Sequence, residues 1–94
     1  MRESTIEKYL VQQVKAVGGE VRKVAWIGRR GAPDRVVMLP NGATLWVELK
    51  APGVKPDPHQ LREHERMRDM GQQVVVVDSI KDADDEVLWW RTAR

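Results

Sequence analysis

Three residues of this 94-residue chain have the types and spacing that could do chemistry: Asp34, Glu48 and Lys50. Glu48 and Lys50 stand two apart in the β-rich run 44–50, so their side chains leave the same face of a strand. Asp34 precedes another β-rich run, and its placement relative to Glu48 depends on the corner Pro40-Asn41-Gly42 between the two. A two-residue turn at Asn41-Gly42 would oppose Asp34 to Leu49, on the wrong face, and would put Pro40, which has no N–H, where the turn needs a donor. A three-residue loop removes both conflicts. Pro40 and Asn41 become the central residues of a type I turn and Gly42 takes the left-handed place of a G1 bulge. Leu39 then faces Ala43, and Asp34 faces Glu48.

Two carboxylates opposed across an antiparallel pair have Cβ atoms ~5 Å apart and repel each other. A divalent cation is the natural compensation, and hard oxygen donors in a chain without cysteine favour Mg²⁺ or Mn²⁺ over zinc. The Leu49 carbonyl could add a third oxygen. Lys50 would orient an attacking water or stabilise negative charge on a phosphate. Such a group suits phosphodiester hydrolysis. Each fragment also has an ordinary reading, since Pro-Asp is a common turn dipeptide and Glu-x-Lys recurs on strands by chance. Their convergence at one end of a hairpin, bordered by Gly/Pro loops, favours the site.

Other candidates carry a second reading of equal strength. Glu7 could complete a metal shell from the first helix, or could close a capping box over Ser4-Thr5-Ile6-Glu7. Gln60 could contact substrate or water beside Lys50, or could close the box over Asp57-Pro58-His59-Gln60. His59 and His64 are five apart and do not share a helix face, and His64, spaced with Leu61, Met67 and Met70, reads as a half-buried packing residue. Arg29, Arg30 and Lys55 lie in the loops bordering the site, where they could hold DNA phosphates or simply be solvated. Trp89 and Trp90 are adjacent, so one of them should be exposed and could mark a partner surface.

The elements that must position these groups follow from periodicity. Ile6, Leu10, Val14 and Val17 predict a helix over 5–17, ended by Gly18-Gly19. Residues 20–26 read as a strand and residues 28–33 as a flexible basic loop. The runs 35–39 and 44–50 form the hairpin. Asp57 and Pro58 open a second helix that runs to Met70, 73–77 is a buried strand, and a third helix starts at Ser79 and ends in Trp89, Trp90 and Arg91. The second helix permits a right-handed crossover and parallel pairing of the strands it joins. The expected fold is α/β in the order α-β-β-β-α-β-α, a mixed four-stranded sheet with helices on its faces.

Composition narrows the function classes. The chain is long enough for one domain, too apolar at 41% for a disordered segment, and has no aliphatic run that could span a bilayer. The first residues lack the apolar core of a secretory signal, so cytoplasmic work is expected, without a membrane partner. Net charge is only +2, yet residues 1–31 hold seven Lys/Arg against three Asp/Glu while residues 63–94 hold five against eight. That asymmetry suits a polyanion-binding face, or an ordinary charged surface.

Gly31-Ala32-Pro33-Asp34, Glu48-Leu49-Lys50 and Gln60, preceded by Glu7 and followed by Val74-Val75-Val76-Val77-Asp78, resemble the VRR-NUC family of the PD-(D/E)xK nuclease superfamily. The resemblance covers nearly the whole chain and is specific in combination. It implies a restriction-endonuclease-like core, metal-dependent DNA cleavage, and catalytic roles for Glu7, Asp34, Glu48, Lys50 and Gln60. It also implies a stand-alone viral type, a homodimer that cuts branched DNA such as four-way (Holliday) junctions; for a viral protein the compartment would be the bacterial host cell. The expectation from another class is a non-catalytic DNA-binding or adaptor module with the same fold.

Overall fold

The computed structural model describes residues 1–92. Helix α1 spans Glu3–Ala16, strand β1 Glu20–Lys23, β2 Arg35–Met38, β3 Thr44–Leu49, helix α2 Pro58–Asp69, β4 Val74–Val77 and α3 Ile80–Thr92. The strands form one sheet in the order β1-β2-β3-β4, antiparallel at the first two junctions and parallel between β3 and β4. The α-β-β-β-α-β-α order and the mixed sheet are those expected.

The two faces of the sheet have different chemistry. On one, Val37, Leu45, Val47, Leu49 and Val77 pack with Ile6, Leu10 and Val14 of α1 and with Ala83 and Val87 of α3. Their removal from water is the main driving force of folding. On the other, Trp46 and Glu48 face α2, whose buried residues are Glu63, His64 and Met67. One face is thus an aliphatic core, and the other combines packing with buried polar groups.

The corner between β2 and β3 folds as its composition predicts. The Gly42 N–H donates to the Leu39 carbonyl at 3.0 Å, closing the type I turn, and the Leu39 N–H donates to the Ala43 carbonyl at 2.9 Å. Gly42 is left-handed, with φ 91°. Asn41 Oδ1 accepts the Ala43 N–H, and its Nδ2 donates to the carbonyls of Trp90 and Arg91, tying the corner to the end of α3. Opposed residues are Arg35 with Val47 and Val37 with Leu45, so one further step sets Asp34 opposite Glu48.

Four local expectations need correction. Strand β1 ends at Lys23 rather than Trp26: Val24 still donates to the Asp34 carbonyl at 3.0 Å, after which Trp26 turns away to pack at a tilt of 58° against Trp46, with ring centroids 5.9 Å apart, and to bond Glu63. Helix α1 begins at Glu3 behind an Arg2 N-cap, so Glu7 does not close a box over Ser4 and pairs with Arg35 instead. The loop over 28–33 is docked on α2 rather than free, because Glu63 holds it and Gly31 approaches the helix so closely that a Cβ there would lie 2.7 Å from Glu63 Cβ. Finally, His64 is fully buried while Leu61 and Met70, with which it was grouped by spacing, are exposed.

Candidate active site

Asp34 is tied in place from both sides. Its carbonyl accepts the N–H of Val24, just after β1, and Arg35 Nη1, each at 3.0 Å, while Oδ2 accepts the Leu49 N–H at 2.8 Å. The Leu49 carbonyl on the same side is in a different position. Across from Leu49 stands Pro33, whose ring nitrogen carries no hydrogen, so the hairpin ladder has no donor for the Leu49 carbonyl there. In a strand the N–H and C=O of one residue point to the same side, so the Leu49 carbonyl is directed toward the flank on which Asp34 lies. The Pro-Asp pair therefore ends the β2–β3 ladder and brings a carboxylate to that edge.

Glu48 is the most buried carboxylate among the described residues, at 1% exposure. Its Oε2 accepts from Gln60 Nε2 at 3.0 Å and lies 3.1 Å from Lys50 Nζ. Its Oε1 is buried without a hydrogen-bond partner, and His64 Nε2 lies 3.7 Å from it. Burial raises the Glu48 pKa most, the negative charge of Asp34 raises it further, and Lys50 works against both; the result is about 7. Burial also holds the His64 imidazole below its usual range, with the positive charge of Arg68 acting in the same direction, so it is neutral at pH 7. The 3.7 Å approach is then a dipole beside a carboxylate rather than an ion pair.

Both readings of Gln60 hold at once. Its Oε1 accepts the Asp57 N–H at 2.8 Å, closing the capping box of α2, while Nε2 reaches Glu48. One amide therefore fixes the start of the helix and one oxygen of the buried acid. Glu7 takes a different position. Its carboxylate pairs with Arg35, whose guanidinium also bonds the Asp34 carbonyl, so Glu7 is linked to the site through Arg35.

Of the three candidate phosphate contacts, Arg30 and Lys55 are exposed. Arg29 is exposed over about half its side chain, yet Nη2 bonds Glu63 at 2.9 Å. Glu63, buried at the centre of this group, also accepts from Trp26 Nε1 at 2.8 Å and Arg66 Nε at 3.1 Å. Glu63, Trp26 and Arg35 have no site role in the sequence reading, where His64 figures only as a packing residue. Only His64 carried a usable signal: it lies four residues after Gln60 and so shares its helix face.

The donor set fits a hard divalent cation. Two opposed carboxylates, one with a buried oxygen that no protein donor satisfies, and a backbone carbonyl at the same edge supply oxygen and no soft ligand. Among the described residues no cluster of three His, Cys, Asp or Glu side chains could hold a metal, so a cation here would draw on Asp34, Glu48 and the Leu49 carbonyl, with water or substrate filling the rest.

No family model matches the sequence. A protein of Acyrthosiphon pisum secondary endosymbiont phage 1, named "Putative nuclease p44", is 56% identical over 79 residues, which span 84% of this chain and 85% of that protein. A solved structure described as a VRR-NUC domain superposes with a TM-score of 0.85 at 48% identity, covering 92% of this chain and 94% of the other. Identity of that degree over most of both chains, with the same three-helix, four-strand architecture, shows that the protein belongs to the VRR-NUC family and has its restriction-endonuclease-like fold.

Proposed function

We propose that the protein is a DNA endonuclease dependent on Mg²⁺ or Mn²⁺, working as a homodimer on branched DNA such as four-way junctions. The observation that carries this reading is the buried, unpartnered Oε1 of Glu48 set opposite Asp34, with Lys50 alongside. A buried carboxylate oxygen without a hydrogen-bond partner is costly to a fold, and this one persists where a cation would relieve it. The phage relative's name and family membership point to the same chemistry.

Asp34, Glu48 and the Leu49 carbonyl would hold the ion, which supplies positive charge at the scissile phosphate when bound. Lys50, ion-paired to Glu48 and partly exposed, places a second positive charge at that edge, where it orients the attacking water and stabilises the charge gathering on phosphate oxygens. Gln60 keeps Oε2 of Glu48 turned toward Lys50 and leaves Oε1 for the ion. Glu7 holds Arg35, and Arg35 holds the carbonyl of Asp34, so the first helix acts by positioning. In the reaction the water oxygen forms a new P–O bond, the P–O bond to one sugar oxygen breaks, and the water's proton balances the one gained by the leaving oxygen. Arg29, Arg30 and Lys55 would hold flanking phosphates. Leu88 and Trp89, both exposed on α3, offer a surface for a second copy, and a two-fold pair of sites matches the symmetry of paired cuts in a junction.

Cleavage of labelled duplex, flap and four-way-junction DNA with Mg²⁺ or Mn²⁺, with Lys50→Ala in parallel, tests the reading. Metal-dependent cutting by the wild type that Lys50→Ala loses by about a hundred-fold or more supports it. DNA binding with no metal-dependent cutting would instead identify a non-catalytic adaptor.

A further inference from the structure

Residue 27 has no role in the fold and an unusual setting. Ile27 is fully exposed, although an isoleucine in a loop gains nothing for folding from contact with water. The segment that presents it is fixed. Trp26 on one side bonds Glu63 and packs at a tilt against Trp46, Arg29 on the other bonds the same carboxylate, and Gly31, with φ 95°, lies directly against α2. Glu63 therefore holds both ends of a short projection whose tip is Ile27 and whose flank carries Arg29 and Arg30. The same segment runs straight on into Asp34, and its docking point on α2 adjoins Gln60 and His64, the residues that back Glu48. The other loop at the site edge repeats the composition, with exposed Val54 next to exposed Lys55 after Lys50.

We infer that Ile27 is a wedge that presses against an unstacked base at a DNA branch point while Arg29 and Arg30 hold the adjoining phosphates. The inference rests on the reading of Asp34, Glu48 and Lys50 as a DNA-cutting centre and names the part that recognises the branch. The occupant follows from the setting. A bare aliphatic tip followed by two arginines matches a nucleic acid, which offers apolar base faces beside phosphates, and paired duplex keeps those faces stacked. A branch, flap or end presents them without the cost of unstacking a duplex step. Glu63 is a positioning residue in this arrangement, because a wedge holds a base out of the stack only when its own support does not yield.

The test uses four-way-junction DNA carrying 2-aminopurine at the branch, bound by the full chain in a Lys50→Ala background so that nothing is cut. The expected result is a fluorescence rise on binding that Ile27→Ser abolishes and Ile27→Leu retains, with junction affinity falling about ten-fold for serine, the scale of one lost apolar contact. In the otherwise wild-type enzyme, Ile27→Ser should lower the ratio of junction to duplex cleavage by a similar factor. Because Ile27 touches nothing, its circular dichroism and melting curve should not move. Equal fluorescence and equal affinity for serine and isoleucine would overturn the wedge while leaving the cutting centre standing. Loss of dimer on Ile27→Ser, seen by sedimentation, would overturn it in favour of a contact between copies. Absence of cutting by the wild type on every DNA would remove the cutting centre and the wedge with it.

Discussion

His64 Nε2 lies 3.7 Å from Glu48 Oε1, and both atoms are buried without a hydrogen-bond partner. An unsatisfied buried polar atom typically costs ~1–3 kcal/mol, so two facing each other are a stability defect that an aliphatic pair would not have. Replacing His64 with leucine, of similar volume, should therefore leave the melting temperature unchanged or raise it. If the imidazole instead steadies the Glu48 oxygen that receives the cation, the same variant should bind Mn²⁺ about ten-fold more weakly by calorimetry, the usual scale for losing a supporting contact behind a metal ligand. A melting temperature lowered by ~10 °C with unchanged Mn²⁺ affinity would reduce His64 to a packing residue.

The titration of Glu48 fixes a pH dependence. Its carboxyl titrates near 4.5 in an unfolded chain and at about 7 in the fold. Between those values the native state keeps a proton that the unfolded state has released, so this group's contribution is fully present below 4.5 and lost as pH rises through about 7. Glu48→Gln keeps the shape and removes the titration. Without divalent ions the variant should melt at a temperature that pulls ahead of wild type between pH 4.5 and 7, reaching roughly 5 °C or more, with a constant gap above. It should also be inactive. A gap that does not vary with pH would show that Glu48 ionises in the fold as it does in water.

Much of this geometry could be read from residue types. Pro40 cannot donate and Gly42 can take a positive φ, which left one loop length, and that length set Asp34 opposite Glu48. The Pro-Asp and Gln-capped helix signals were local, and local signals survive in sequence. Glu63 was not legible, since its partners Trp26 and Arg29 are 37 and 34 residues away and nothing in their spacing announces a meeting. Periodicity also understated the burial of His64. Apolar spacing assumes that a buried helix face is aliphatic, whereas α2 covers a sheet face carrying Glu48 and therefore buries Glu63 and His64 while Leu61 and Met70 face water. For Glu7 the local capping box lost to Arg35, a charged partner supplied by the sheet.

Metal should reverse the pH trend. A cation takes the carboxylate form of Glu48 and competes with its proton, so affinity rises as pH passes about 7. In thermal melts with 10 mM-scale Mn²⁺, the stabilisation relative to metal-free protein should be small at pH 5.5 and several degrees at pH 8, following RT ln(1 + [L]/Kd). Asp34→Asn should remove most of that increment while leaving the circular dichroism spectrum unaltered, because its amide oxygen can still accept the Leu49 N–H. An increment that is the same at both pH values, or that survives Asp34→Asn, would place the ion elsewhere.

Gly31 and Gly28 separate strain from crowding in the loop that carries Ile27. Both have positive φ, 95° and 82°, which costs an L side chain ~1 kcal/mol or somewhat more. At Gly28 a Cβ meets nothing within 4 Å, whereas at Gly31 it would sit 2.7 Å from Glu63 Cβ and 2.9 Å from the His59 carbonyl oxygen. Gly28→Ala should thus lower the melting temperature by only a few degrees. Gly31→Ala must push the loop off α2, breaking the Arg29 and Trp26 bonds to Glu63, and should cost ~3 kcal/mol, or more than 10 °C. Its tryptophan fluorescence should shift as Trp26 leaves Trp46, a change that Gly28→Ala should not show. Equal effects of the two substitutions would mean that the loop does not depend on its contact with α2.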